Sequence, residues 1–122
     1  MNTSVFSPTS TTSPIGRRID SILEKGGMNS RDIAKIFSIR PETVSRWNQG
    51  KAFPQRDTEQ GILDLEFIVD MLSEIYEPDE ARLWLMSRQR TMGNQRPAEL
   101  IGDGRIEEVI TAVHQLRDGA YL

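Results

Sequence analysis

Ser38-Ile-Arg-Pro-Glu-Thr-Val-Ser-Arg-Trp-Asn-Gln-Gly-Lys51 is the stretch whose reading decides the fold. Pro41 suits the first turn of a helix, where its missing N–H would have had no intrahelical partner, and Gly50 suits a left-handed residue past the last turn. Between them only Val44 and Trp47 are apolar, three apart and therefore on one face. Glu42, Thr43, Ser45, Arg46, Asn48 and Gln49 cover the rest with hydrogen-bonding groups. That is the composition of a recognition helix or of an ordinary solvated surface helix, and the flanking sequence decides between them.

Upstream, Ile15, Ile19, Ile22 and Leu23 recur at i, i+4, i+7 and i+8 after Pro14, which predicts a first amphipathic helix. Gly26-Gly27 stops it, and Asn29 or Ser30 is placed to cap a second helix carrying Ile33, Ala34 and Phe37 on one face. The turn Ser38-Ile39-Arg40 then joins the second helix to the third, a helix-turn-helix arrangement. Residues 1–13, MNTSVFSPTSTTS, offer too little apolar surface to offset the entropy of ordering them and read as a disordered arm.

Downstream, residues 53–61 are polar and turn-rich and read as a connection. From Gly61, Ile62, Leu65, Ile68, Val69, Leu72 and Ile75 form one stripe, widened by Leu63, Phe67, Met71 and Tyr76. So wide a stripe is expected to pack against several elements, a second copy of the chain among them. Pro78 opens another helix with Ala81 and Leu85 facing a core and Trp84 as a structural anchor. A loop with several arginines leads to a short helical turn, Pro97 to Ile101. A last helix from Arg105 to about Arg117 carries Ile106, Val109, Ile110, Val113 and Leu116 on one side. Gly119 is expected to end it, leaving Ala120-Tyr121-Leu122 as an apolar and aromatic tail. The expectation is an all-α chain: a disordered arm over 1–13, a helix-turn-helix DNA-binding domain over 14–56, and a small helical domain, expected to dimerise, over 57–122.

Charge divides the chain at the same place. Residues 14–56 hold nine Lys/Arg against four acids, a balance of +5, and residues 57–122 hold six Arg against fourteen acids, a balance of −8. One half suits a polyanion and the other would be repelled by it. The 122 residues contain no cysteine and one histidine, which leaves neither a disulfide framework nor a Cys or His metal site. His114 reads as a boundary residue of the last helix. Paired carboxylates, a Ser-His pair and a Gly-rich phosphate fingerprint with Lys-Ser or Lys-Thr are missing, so neither an enzyme nor a cofactor is expected. No basic start with an apolar run and no stretch of roughly 18 apolar residues is present, so a cytoplasmic protein without a membrane span is expected.

The run Asp32-Ile-Ala-Lys-Ile-Phe-Ser-Ile-Arg-Pro-Glu-Thr-Val-Ser-Arg-Trp-Asn-Gln-Gly-Lys-Ala-Phe-Pro54 resembles the Xre-type helix-turn-helix. It departs at Ser38, where that family often has Gly, and at Arg40, where Ser or Thr usually caps the recognition helix. The second departure removes a cap worth about 1 kcal/mol but sets a guanidinium where it can hold a phosphate. On this reading Thr43, Arg46 and Asn48 reach base edges, Arg46 as the guanine reader, while Arg40, Lys51 and Arg56 hold phosphates. A dimer on an inverted repeat follows, with its surface on the 61–76 helix.

From about Arg82 to Leu122 the chain is similar to the toxin-binding domain of the Xre/MbcA/ParS antitoxin family. Arg96, Pro97, Leu100, Asp103, Gly104, Val109 and Gly119 carry the likeness. The resemblance implies the antitoxin of a type II toxin–antitoxin pair whose partner is a RES-domain toxin that consumes NAD, with 57–122 as the helical dimerisation and toxin-binding domain. It also implies that Gly119, Ala120, Tyr121 and Leu122 block the toxin's active-site cleft, and that the helix-turn-helix half binds operator DNA and represses the operon. The alternative is a stand-alone Xre-like transcriptional regulator whose acidic half only dimerises or senses a ligand.

Overall fold

The computed structural model describes residues 13–119. Those residues form seven α-helices: α1 Pro14–Lys25, α2 Ser30–Phe37, α3 Pro41–Asn48, α4 Arg56–Leu72, α5 Pro78–Met86, α6 Pro97–Gly102 and α7 Ile106–Gly119. A 3-10 turn spans Arg90–Met92, and a lone antiparallel bridge pairs Gln89 with Gln95. The fold is all-α. The arm expected over 1–13 lies outside the described residues except for Ser13, which is buried and caps α1 by accepting from Gly16 N at 3.3 Å.

Local signals set most helix ends. Gly26 caps α1 and Gly27 follows with φ +61°. Asn29 and Asp32 cap α2 reciprocally: Asp32 N donates to Asn29 Oδ1 at 3.0 Å, and Asn29 N donates to Asp32 Oδ2 at 3.1 Å. Pro41 opens α3 with no side-chain cap from Arg40, and Gly50 takes φ +77° beyond its end. Ser38 occupies the left-handed region at φ 58°, ψ 47°, a conformation that disfavours a Cβ by about 1–2 kcal/mol.

The helix expected over 61–76 is misplaced at both ends: α4 stops at Leu72, and Ile75 and Tyr76 lie in the turn that follows it. The connection read over 53–61 ends early, because α4 begins at Arg56, five residues before Gly61. Arg56-Asp-Thr-Glu-Gln is a solvated first turn whose Asp57 and Glu59 complement the positive helix end. Gly61 is buried within the helix. A Cβ on it would lie 2.5 Å from Phe37 Cε1, so the missing side chain is what lets α4 meet α2. Gly102 serves similarly at the end of α6, where a Cβ would stand 2.4 Å from Ile36 O.

α4 is the central element and packs against α1, α6 and α7. Ile62, Leu65, Ile68, Val69 and Leu72 are fully buried, and they join Ile19, Ile22, Ile33 and Val44 to Leu85, Leu100, Ile101, Val109 and Val113 in one apolar cluster. The wide stripe is thereby explained on most of its circumference. Phe67 is the exception, half exposed on the outer side. Ion pairs bind the layers: Arg18–Glu66 and Lys25–Asp70 (3.0 Å) join α1 to α4, and Arg117–Glu74 (3.2 Å) ties α7 to the turn after α4. No described helix is long and apolar enough to cross a membrane.

Candidate functional site

α3 is fixed from below. Val44 is fully buried and Trp47 nearly so, which turns Glu42, Arg46 and Gln49 outward. Arg40, Arg46, Lys51 and Arg56 are exposed, and Thr43 is half-buried. Asn48 sits differently from the other expected base readers: its Nδ2 donates to Gly16 O at 3.2 Å and to Asp20 Oδ1 at 2.7 Å. The amide therefore braces the end of α3 against α1, and only its oxygen remains for another partner.

Among the described residues, Arg31, Lys35, Arg40, Arg46, Lys51 and Arg56 make no ion pair, and all six are exposed. They fall in one segment, α2 through the first residue of α4. The two acids within the segment do not neutralise it. Glu42 pairs with none of them, and Asp32 is committed elsewhere. The result is a run of uncompensated positive charge around α3.

Asp32 is held by Arg82 of α5, a residue to which the sequence reading gave no role. Arg82 Nε donates to Asp32 Oδ2 at 2.9 Å and Arg82 Nη2 to Asp32 Oδ1 at 2.8 Å, a two-pronged ion pair on a carboxylate side chain only 8% exposed. The Arg82 hydrogen bonds hold the Asp32 carboxyl below the usual carboxylate range; burial opposes this, and the Asn29 N–H assists. The partners are 50 positions apart, so no local signal could reveal them.

At the other end, α7 runs through Gly119, which lies in open space. Gly119 thus closes the helix from inside rather than standing beyond it. Ala120, Tyr121 and Leu122 lie outside the described residues. His114 is exposed, and no group of three or more His, Cys, Asp or Glu among the described residues could hold a metal ion.

No protein-family model matches the chain. It is 27% identical over 104 residues to the mycobacterial cidal antitoxin MbcA of Mycobacterium tuberculosis, a match covering 85% of this chain and 92% of that protein. A probable mycobacterial cidal antitoxin of the same organism, Rv3188, is 29% identical over 100 residues, covering 82% of this chain and 85% of its own. The fold matches a chain in the crystal structure of the M. tuberculosis MbcT–MbcA toxin–antitoxin complex with a TM-score of 0.77 at 26% identity, covering 89% of this chain and 98% of that one. The described residues share the all-α architecture of a chain from a toxin–antitoxin complex. In sequence and in fold the chain is similar to the MbcA antitoxins.

Proposed function

We propose that the chain neutralises a cognate RES-domain toxin that degrades NAD, by placing its C-terminal end, Gly119, Ala120, Tyr121 and Leu122, in the toxin's active-site cleft. The observation that carries the reading is the fold match to a chain from a toxin–antitoxin complex over nearly its whole length. The acidic surface of the 57–122 half supports it, because a cleft that receives NAD phosphates needs cationic groups, and an acidic partner complements them. The chain acts by binding and is not an enzyme. Co-expression with the product of the adjacent gene, followed by a pull-down and an NAD assay, tests this. The expected result is a stable complex with NAD preserved. Deleting Ala120–Leu122 should restore NAD loss while leaving operator binding intact; full neutralisation by the shortened chain overturns the tail's role.

The 14–56 segment acts in the same reading as a cytoplasmic DNA-binding repressor of the chain's own operon. The six unpaired cations around α3 support it: a duplex phosphate array supplies the missing countercharge. Arg46 and Thr43 read base edges, Arg40, Lys51 and Arg56 hold phosphates, and Asn48 fixes the angle of α3 while its oxygen faces the groove. A homodimer on an inverted repeat completes the site, with half-exposed Phe67 on the dimer face of α4. Gel shifts with the operon's upstream region at matched salt test this half.

A further inference from the structure

Where α2, α5 and the start of α6 meet, Lys35, Ile36, Arg82, Met86, Arg96, Ala98 and Glu99 enclose a cavity of about 390 Å³. Its lining has two characters. Ile36, Met86 and Ala98 supply an apolar wall, and three cations from three different segments face the same space. Each cation keeps unused donors. Arg82 gives Nε and Nη2 to Asp32 and leaves Nη1 without an acceptor among the described residues. Arg96 gives Nε to Met86 O at 3.0 Å and Nη1 to Glu99 at 3.1 Å, and leaves Nη2. Lys35 makes no ion pair, although the Asp32 carboxylate is near enough to feel its charge. The acids that touch this group are Asp32, behind Arg82, and Glu99, already held by Arg96 through its N–H and side chain. The cavity therefore carries an excess of one positive charge and at least three free N–H donors beside an apolar wall.

We propose that this cavity binds a small organic anion, a phosphate monoester or carboxylate carried on an apolar or aromatic group. The volume fits the lower end of small-ligand sites, which are mostly apolar with a few convergent polar groups. The free Nη donors and the Lys35 ammonium take the anionic head, and Ile36, Met86 and Ala98 take the body. A bound ligand would tie α2, which leads into α3, to α5 and α6, and so stabilise the join between the two halves by mass action. The inference does not depend on the toxin or the operator.

The test is an NMR titration of the ¹⁵N-labelled full chain with phenyl phosphate, benzoate, inorganic phosphate and benzyl alcohol. Phenyl phosphate or benzoate should give saturable shifts at the amides of Ile36, Met86 and Ala98, with the tighter of the two naming the head group. Inorganic phosphate and benzyl alcohol should bind at least tenfold more weakly. Lys35→Gln, at an exposed position without an ion pair, should fold normally and weaken the tighter ligand about tenfold. Shifts confined to residues 40–56, equal affinity for benzyl alcohol, or unchanged affinity in Lys35→Gln overturns the site.

Discussion

The two halves differ in how many of their cations the fold pairs. Of the six arginines in the 57–119 half, Arg82, Arg96, Arg105 and Arg117 each sit against a carboxylate and Arg88 and Arg90 do not, whereas from Arg31 to Arg56 six exposed cations sit against none. α1 sides with the acidic half, since Arg18 and Lys25 are matched to Glu66 and Asp70 of α4. The difference separates charge used to assemble the fold from charge left for a partner. Exposed pairs contribute little to stability, a median of about 0–1 kcal/mol. An array of unpaired like charge is mildly unfavourable until a polyanion supplies countercharge. The basic segment therefore holds most of the positive charge that the fold leaves without an acid partner.

The comparison breaks most severely if the two halves are forced apart. Gly61→Val sets a branched side chain where even a Cβ would stand 2.5 Å from the Phe37 ring. The expected loss is about 3 kcal/mol or more, seen as a large fall in Tm, because α2 must move off α4. Phe37→Ala should recover part of it by opening the space. If Gly61→Val alone leaves Tm unchanged, the close approach of α2 and α4 is incorrect.

Removing Arg82 strips the nearly buried Asp32 of its countercharge, so Arg82→Ala should cost about 2 kcal/mol in urea unfolding, less than a fully buried pair because Arg82 itself is 43% exposed. The pH dependence has a definite sign. Asp32 is held below its ordinary range when folded, so the unfolded state binds more protons in acid, and its stabilisation is present above about pH 4–5 and disappears as pH falls through the folded value. The gap between the parent chain and Arg82→Ala should therefore narrow on acidification. A constant gap down to pH 3 assigns the loss to packing of the arginine stem instead.

These two cases also show what could be read in advance. Pro41, Gly50, Val44 and Trp47 are legible because proline geometry, left-handed glycine and helical spacing are local properties. Gly61 in a polar run looks like a boundary, and only the ring of Phe37, distant in sequence, shows it to be a packing position. Arg82 and Asp32 carry ordinary surface identities until the fold brings them together. Asn48 shows the same difficulty inside the candidate site: a polar residue on a polar helix reads as a base reader, yet its amide is tied to Gly16 and Asp20 of α1. Spacing identifies the helix, and tertiary contacts decide which of its polar groups remain available.

The unpaired array itself can be tested by substitution. Arg46→Ala should cost about 1–3 kcal/mol of operator affinity and relax sequence choice at one base pair. Lys51→Ala or Arg56→Ala should weaken all sequences alike and reduce the salt slope by about one. Arg105→Ala, which removes an exposed pair with Glu108, should change neither. Equal losses from Arg105 and Arg46 would show that bulk charge, and not the segment around α3, governs DNA binding.

The smallest expected effects lie at the turn before α3. Ser38 holds a left-handed conformation that glycine adopts without a Cβ penalty, so Ser38→Gly should stabilise the fold by up to about 1 kcal/mol, with no change in operator affinity. Arg40 gives α3 no side-chain cap, and Arg40→Ser should add about 0.5–1 kcal/mol of stability through a new bond to the free N–H groups. If Arg40 holds a phosphate, the same substitution should weaken operator binding and lower its salt slope, so that stability and affinity move in opposite directions. Should both rise together, the guanidinium does not touch DNA, and the missing cap has no functional counterpart at this turn.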